Sequence, residues 1–156
     1  MSKRTRRRFL AGSAAVALAG CLGDAGDSRE PDTTTKTGTI GSVDESARIR
    51  GGGHNYWTID LNGPATVEYE ATVTEGAAID VFLLSDAEYA KYKQDQPFDY
   101  SEEGSTLATE HATASLEVTA DTYYFLLDNT DRGEAAPKPD FNGGTVVADV
   151  TLDVYR

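Results

Sequence analysis

The sequence is poor in the side chains that most enzymes and metalloproteins use for chemistry. Its 156 residues include one cysteine, one methionine and two histidines. A single cysteine cannot form a disulfide within the chain, so a folded domain must be stabilised by its hydrophobic core. Neither His54 nor His111 lies near a Gly-x-Ser-x-Gly turn, so no serine-hydrolase triad is recognisable. We interpret both as surface residues, with His54 in a loop and His111 on an edge strand.

The chain also lacks an apolar run long enough to span a bilayer. The segment 9–20 is apolar but short, and it consists mainly of alanine and glycine. It follows a basic start that contains Lys3 and four arginines. A basic start followed by a short apolar run is typical of a removable signal peptide, which we assign to residues 1–20.

Two motifs in this leader resemble export and lipidation signals of prokaryotes. One resembles the twin-arginine export motif, and it comprises Arg6, Arg7, Phe9 and Leu10, with Arg8 in its free position. The other resembles the lipobox of lipoproteins, and it comprises Leu18, Ala19, Gly20 and Cys21. These resemblances imply cleavage before Cys21, a lipid on its sulfur, and anchoring at the extracellular face of the cytoplasmic membrane. The alternatives are a basic tail that binds nucleic acid or anionic lipid, and a buried thiol.

The charge of the chain changes sign at Cys21. Five of the fourteen basic residues and none of the twenty-six acidic ones precede it, so the mature chain would carry a net charge of −17. Such a polyanion repels nucleic acid and anionic lipid head groups. At about 1 M salt the Debye length is about 3 Å, which screens the self-repulsion. The acidic bias and the leader together resemble secreted proteins of halophilic archaea; an ordinary acidic secreted domain is the alternative.

Composition divides the mature chain into a tether and one domain. Residues 23–38 consist mainly of Gly, Asp, Ser, Pro and Thr, which is typical of a flexible linker. We therefore assign residues 21–38 to a lipidated cysteine and a tether, and residues 39–156 to a single folded domain.

The domain has the period-two alternation of half-buried β-strands. In the segment 65–74, Val67, Tyr69, Ala71 and Val73 share one face, and the segment 146–154 repeats the pattern. Further strands are predicted at 57–61, 79–84, 115–118 and 123–128, and weaker ones at 42–49 and 106–113. Seven or eight short strands predict an all-β fold, an antiparallel β-sandwich of the jelly-roll or immunoglobulin-like type.

One segment departs from this alternation. Ser85, Asp86, Ala87 and Glu88 have the pattern of a helix capping box, which predicts a short helix near residues 86–94. The helix and the loop after it carry four aromatic residues: Tyr89, Tyr92, Phe98 and Tyr100. These rings either cap one open end of the sandwich or form a binding surface.

Two strand sequences carry a family resemblance. The segments 78–84 and 119–127 resemble the paired core strands of the pre-peptidase C-terminal domain, a β-sandwich found beside secreted enzymes. Asp121 stands where that family usually has glycine. The resemblance implies a non-catalytic accessory module.

Metal sites are limited by the available ligands. A plastocyanin-like copper site would need a thiolate and commonly a thioether, but Cys21 is assigned to lipid and Met1 to the leader. Zinc is excluded by the same shortage. Calcium is bound by oxygens, and the segment 128–134 is rich in them, although Thr130 and Arg132 occupy positions where an EF-hand has ligands. If calcium binds, Asp128 and Asp131 are its candidate ligands; we expect no other cofactor.

Two classes of function remain after these exclusions. The first is a membrane-anchored extracellular binding or accessory module whose partner is a protein, the surface layer or a polysaccharide. The second is a small secreted hydrolase with an unrecognised site, because carboxylate pairs cannot be excluded in so acidic a chain. The missing base and nucleophile favour the first. Tyr56, Tyr124 and Tyr155, if they line one sheet face, would indicate carbohydrate binding.

Replacement of Cys21 by serine tests the anchor. We expect Cys21→Ser to appear in the growth medium, because the hydroxyl cannot form the thioether that holds the lipid. Fractionation of cells and medium measures this, and retention of the variant in the membrane fraction would contradict lipidation.

Replacement of the arginine pair tests the export route. We expect the double variant Arg6→Lys and Arg7→Lys to accumulate inside the cell, because the twin-arginine motif requires both guanidinium groups. Immunoblots of cytoplasmic and surface fractions measure this, and normal secretion would eliminate the twin-arginine interpretation.

Overall fold

A computed structural model of the chain describes residues 39–137 and 144–156, together with the backbone of Arg7 and Arg8. The remaining leader and tether residues lie outside the described residues, as does the segment 138–143. The former include Arg6, Phe9, Leu10, Leu18, Ala19, Gly20 and Cys21. Within the described part, no helix has the length and apolar character needed to cross a membrane.

The described residues form nine strands and one helix. In chain order these are β1 (Arg7–Arg8), β2 (Thr39–Ile49), β3 (Gly53–Asp60), β4 (Ala65–Glu75), β5 (Ile79–Ser85), α1 (Asp86–Lys93), β6 (Thr106–Thr109), β7 (His111–Val118), β8 (Thr122–Asn129) and β9 (Val146–Tyr155). Short turns separate several of the strands, including the one at Gly76, whose φ of 104° requires glycine.

The strands form two sheets that pack face to face. The first sheet has the order β1-β3-β8-β5-β6 and the second has the order β2-β9-β4-β7. All neighbours are antiparallel except β1, which pairs with β3 in parallel. The strands pair as in one long hairpin that is folded over into two sheets. In this hairpin β5 pairs with β6, β4 with β7, β3 with β8 and β2 with β9. This is jelly-roll topology, so the predicted antiparallel β-sandwich is confirmed.

The main hydrophobic core lies between the two sheets. The predicted inward faces of β4 and β9 are correct: Val67, Leu152 and Val154 are almost fully buried, and Tyr69 is 3% exposed. Trp57 and Phe125 of the first sheet pack from the other side, with ring centroids 5.7 Å apart. The alternation in the sequence therefore reports which side of each strand faces the opposite sheet.

The predicted strand 106–113 is wrong in one respect. It is two strands in different sheets, β6 and β7, because the chain crosses from the first sheet to the second at Glu110. Ala108 has a φ of 46°, and the Thr109 hydroxyl donates to the carbonyl of His111 at 2.6 Å. The alternation of small and polar residues continues through this bend. It therefore gives no sign that the chain passes from one sheet to the other.

Both faces of the first sheet are covered. All six residues 79–84 of β5 are buried. Val81 and Leu83 face the second sheet, whereas Phe82 and Leu84 belong to a separate cluster beneath α1. The helix and the loop after it therefore form a third layer, which the continuous apolar run of β5 requires.

The helix begins as predicted. Ser85 is its N-cap, and its hydroxyl accepts a hydrogen bond from the Glu88 amide at 3.5 Å. The Glu88 carboxylate does not complete the capping box. It binds the Lys91 ammonium at 2.7 Å and accepts from the Asp99 amide at 2.8 Å. Glu88 therefore joins the helix to the following loop.

Candidate functional site

The aromatic residues of α1 lie on the outer face of the first sheet. Tyr89 stacks on Tyr124 with ring centroids 3.9 Å apart, and it also contacts Tyr56 at 5.1 Å. The interpretation that the four aromatic residues of the helix and its loop cap an open end of the sandwich is therefore wrong. The helix runs back across the sheet because Phe82, Leu84 and Leu126 present an apolar surface there.

The condition under which Tyr56, Tyr124 and Tyr155 would indicate carbohydrate binding, a shared sheet face, is not met. Tyr56 is 6% exposed and Tyr124 is half-buried, both beneath the third layer. Tyr155 lies on β9 in the second sheet, where its hydroxyl donates to Glu68 at 2.9 Å. Because Tyr155 lies on a different sheet from Tyr56 and Tyr124, the three tyrosines form no common stacking platform.

The two histidines have different environments. The sequence predicts His54 in a loop, but the chain turns at Gly52, which has a φ of 75°, and β3 already begins at Gly53. The His54 ring contacts Tyr92 edge-on at 5.0 Å, so it belongs to the aromatic cluster. His111 lies on the edge strand β7 as predicted, with its Nδ1 2.9 Å from the Thr72 hydroxyl.

A groove with an aromatic floor lies beside this cluster. It has a volume of about 470 Å³, and we call it the aromatic groove. Its lining residues are Phe82, Asp95, Gln96, Pro97, Phe98, Tyr100, Asp131, Arg132 and Gly133. Phe82 forms the base and contacts Phe98 at 5.4 Å and Tyr100 at 5.3 Å. Tyr100 is 39% exposed, which distinguishes it from the other large apolar side chains of the described residues.

Arg132 joins the two walls of the aromatic groove. Its guanidinium carbon lies 5.0 Å from the centroid of the Tyr92 ring and 5.4 Å from that of Phe98. It donates to the Asp95 carboxylate at 2.5 Å and to the Gln96 carbonyl at 2.8 Å. Because Arg132 contacts residues of both walls, it stabilises the groove. Its positive charge is already compensated by the carboxylate, the carbonyl and the two rings.

The loop that carries Phe98 and Tyr100 is fixed on both sides. The Ser101 amide donates to the Leu83 carbonyl at 3.1 Å, and the Leu83 amide donates to the Ser105 hydroxyl at 3.0 Å. The buried Tyr69 hydroxyl donates to the Gly104 carbonyl at 3.2 Å. These bonds attach the loop to β5 and to the core, so the aromatic groove is formed before any ligand arrives.

Two carboxylates are buried side by side beneath the groove. Asp80 and Asp128 are paired in register on β5 and β8, and both are 0% exposed. Asp80 accepts from the amides of Ala108 at 2.8 Å, Glu134 at 3.2 Å and Ala135 at 2.9 Å. A Cβ at Gly133 would overlap with the Asp80 carboxylate, which explains the glycine at this position.

Asp128 is bound by side chains and by its own loop. It accepts from the Tyr92 hydroxyl at 2.9 Å, the Thr130 amide at 3.1 Å and the Thr130 hydroxyl at 2.9 Å. Burial raises the pKa of Asp128 to about 6, and the nearby Asp80 carboxylate acts in the same direction, against the hydrogen bonds from Thr130 and Tyr92. Burial and the Asp128 carboxylate raise the pKa of Tyr92 above its ordinary value.

The structure does not bring the two candidate calcium ligands together. Asp128 is fully buried, whereas Asp131 is exposed at the rim of the aromatic groove. Across residues 39–137 and 144–156, no three side chains of His, Cys, Asp or Glu are grouped so that they could hold a metal ion.

Sequence reasoning missed Asp80 and the role of Arg132. Asp80 is a charged residue within the apolar run 79–84, and Asp128 follows the apolar run 125–127. A carboxylate inside a buried strand must be hydrogen-bonded, so this pattern could have identified both residues as organisers of neighbouring loops. No comparable signal marks Arg132.

Comparisons with known proteins give little further information. No family model matches the chain, and no curated protein matches it. Among solved structures, the chain is similar to the pre-peptidase C-terminal domain of a collagenase from Bacillus anthracis, with 11% sequence identity and a TM-score of 0.47. The similarity covers 71% of this chain and 88% of that domain. At this level it assigns no function.

The variant Asp128→Asn tests the cost of the buried carboxylate. An aspartate in an unfolded chain has a pKa of about 3.9, so a folded pKa of about 6 means that folding takes up a proton between these values. The protonated Asp128 therefore contributes fully to the free energy of unfolding below about pH 4. As the pH rises through about 6 this contribution is lost, and the free energy of unfolding falls by about 3 kcal/mol. We expect Asp128→Asn to lack this loss in urea unfolding measured from pH 4 to 8 at constant salt.

Asp131→Asn is the matched control, because it removes the same charge from the exposed loop that follows β8. It should keep the pH profile of the unmodified protein. An identical pH profile for Asp128→Asn and the unmodified protein would contradict the assigned burial of charge.

Proposed function

We propose that the protein is a membrane-anchored extracellular lipoprotein of a halophile, whose jelly roll is a non-catalytic binding or accessory module. The aromatic groove is its contact surface for a partner. The observation that carries this proposal is the exposed ring of Tyr100 in a groove that is already formed. Exposed aromatic rings in fixed clefts are the usual anchors of protein and ligand contacts.

The position of the aromatic groove fits a tethered module. The tether would join β2 at Thr39, which pairs with Tyr155 at one end of the sandwich. Strand β8 starts at this same end. Asp128 and Arg132 lie at the other end of β8, whose eight residues span about 26 Å. The groove therefore extends away from the point of attachment, which would keep it accessible above a membrane.

The buried carboxylates do not support the alternative of a hydrolase. A general acid and base must reach the atoms of a substrate. Asp80 and Asp128 are 0% exposed, and their oxygens accept hydrogen bonds from the backbone, Tyr92 and Thr130. Their role is to hold the layer that forms the groove.

Cross-linking on intact cells in high salt tests this proposal. We expect a recurrent partner whose cross-links map to the loop 94–105, and we expect Tyr100→Ala to weaken its capture about tenfold, because a central aromatic anchor is removed. Mass spectrometry of the cross-linked peptides measures both results.

Tyr100→Phe and Thr113→Ala are the controls. The first keeps the ring in the groove, and the second changes an exposed residue of β7 on the second sheet, so both should be captured like the unmodified protein. Cross-links that map to the second sheet, or that do not depend on Tyr100, would contradict the assignment of the groove.

A further inference from the structure

We infer that the aromatic groove binds a basic side chain, an arginine or lysine, on an exposed segment of a partner protein. This inference rests on the proposed function and names the chemistry that the partner must present.

The surroundings of the aromatic groove are acidic. The two segments that form it, 94–105 and 130–137, carry six carboxylates and one basic side chain, Arg132. Asp95 is paired with that side chain, with 91% of its own side chain exposed. An anionic ligand would meet repulsion here, and a neutral ligand would gain nothing from the charges, whereas a cation gains from both rings and carboxylates.

Arg132 shows how the groove accommodates a guanidinium. Its flat group lies against the rings of Tyr92 and Phe98 and donates to a carboxylate and a carbonyl. On the solvent side of the groove, Tyr100 and Asp131 offer a similar combination, an exposed ring and an exposed carboxylate. A basic side chain from a partner can therefore stack on the Tyr100 ring and pair with the Asp131 carboxylate, as Arg132 does with its own ring and carboxylate partners.

The shape of the groove favours a side chain that is presented from a surface. The groove opens to solvent and does not enclose its contents, and its rim includes the exposed residues Asp95, Gln96 and Pro97. High salt also favours short-range recognition. At about 1 M salt the Debye length is about 3 Å, so only charges in direct contact contribute, and stacking on a ring is screened least.

Peptide titrations test the inference with the protein as purified from its own cells. The probe is the peptide Ac-Gly-Arg-Arg-Gly-amide, and its neutral twin carries citrulline in place of both arginines. We expect the arginine peptide to bind at least about tenfold more tightly than the citrulline peptide in calorimetry, because only it carries a charge.

Two variants with the same charge change locate the site. Asp131→Asn removes a carboxylate at the rim and should weaken the arginine peptide about fivefold. Asp149→Asn removes an exposed carboxylate from β9 on the second sheet and should leave the affinity unchanged. Equal weakening by both variants would show attraction to the polyanion as a whole and would overturn the inference.

A neutral sugar distinguishes failure of this inference from failure of the proposed function. If chitotetraose binds, and its binding is lost in Tyr100→Ala but kept in Asp131→Asn, the groove is a carbohydrate site: the inference is overturned and the binding module stands. If the citrulline peptide binds as well as the arginine peptide, the inference is overturned in the same way. If no probe binds and the cross-links on cells do not depend on Tyr100, the inference and the proposed function are both overturned.

Discussion

The burial of two carboxylates side by side determines how the outer layer of this protein is built. Removing an ionised carboxylate from water costs several kcal/mol unless hydrogen bonds replace the lost hydration. Asp80 obtains its bonds from the backbone of β6 and from the amides of Glu134 and Ala135, and Asp128 obtains its bonds from Thr130 and Tyr92. The helix, the short strand β6 and the loop after β8 must therefore stay in place together, and the aromatic groove is formed by the segments that these bonds hold.

The jelly roll and the groove are stabilised by different interactions. The space between the sheets is filled by alternating apolar side chains, which specify the sandwich but present no surface for recognition. The outer face of the first sheet is covered by rings, buried carboxylates and the clamp of Arg132. A directional, polar layer on a rigid apolar sheet holds a groove in one shape, which reduces the entropy that a partner must lose on binding.

The sequence allowed prediction of those features that depend on neighbouring residues. Alternation located the strands and their inward faces, as in Val67 and Leu152, and the Ser85 to Glu88 pattern located the start of the helix. It could not show that Tyr56 and Tyr124 are beneath a third layer or that β6 and β7 belong to different sheets, because both facts depend on pairings between distant segments. Arg132 has the same limitation, since its partners Asp95 and Gln96 are far from it in the chain.

The position of β9 has a consequence for biosynthesis. This strand comes last in the described chain, yet it lies between β2 and β4 in the middle of the second sheet. β2 and β9 are thus direct partners although they are far apart in the chain, a pairing of high contact order that is slow to form. Until β9 has left the ribosome, β2 and β4 have no common neighbour and each keeps an unpaired edge that can aggregate. The second sheet therefore cannot close before β9 has been synthesised, and the interval before it closes is the period in which the unpaired edges of β2 and β4 are most exposed to aggregation.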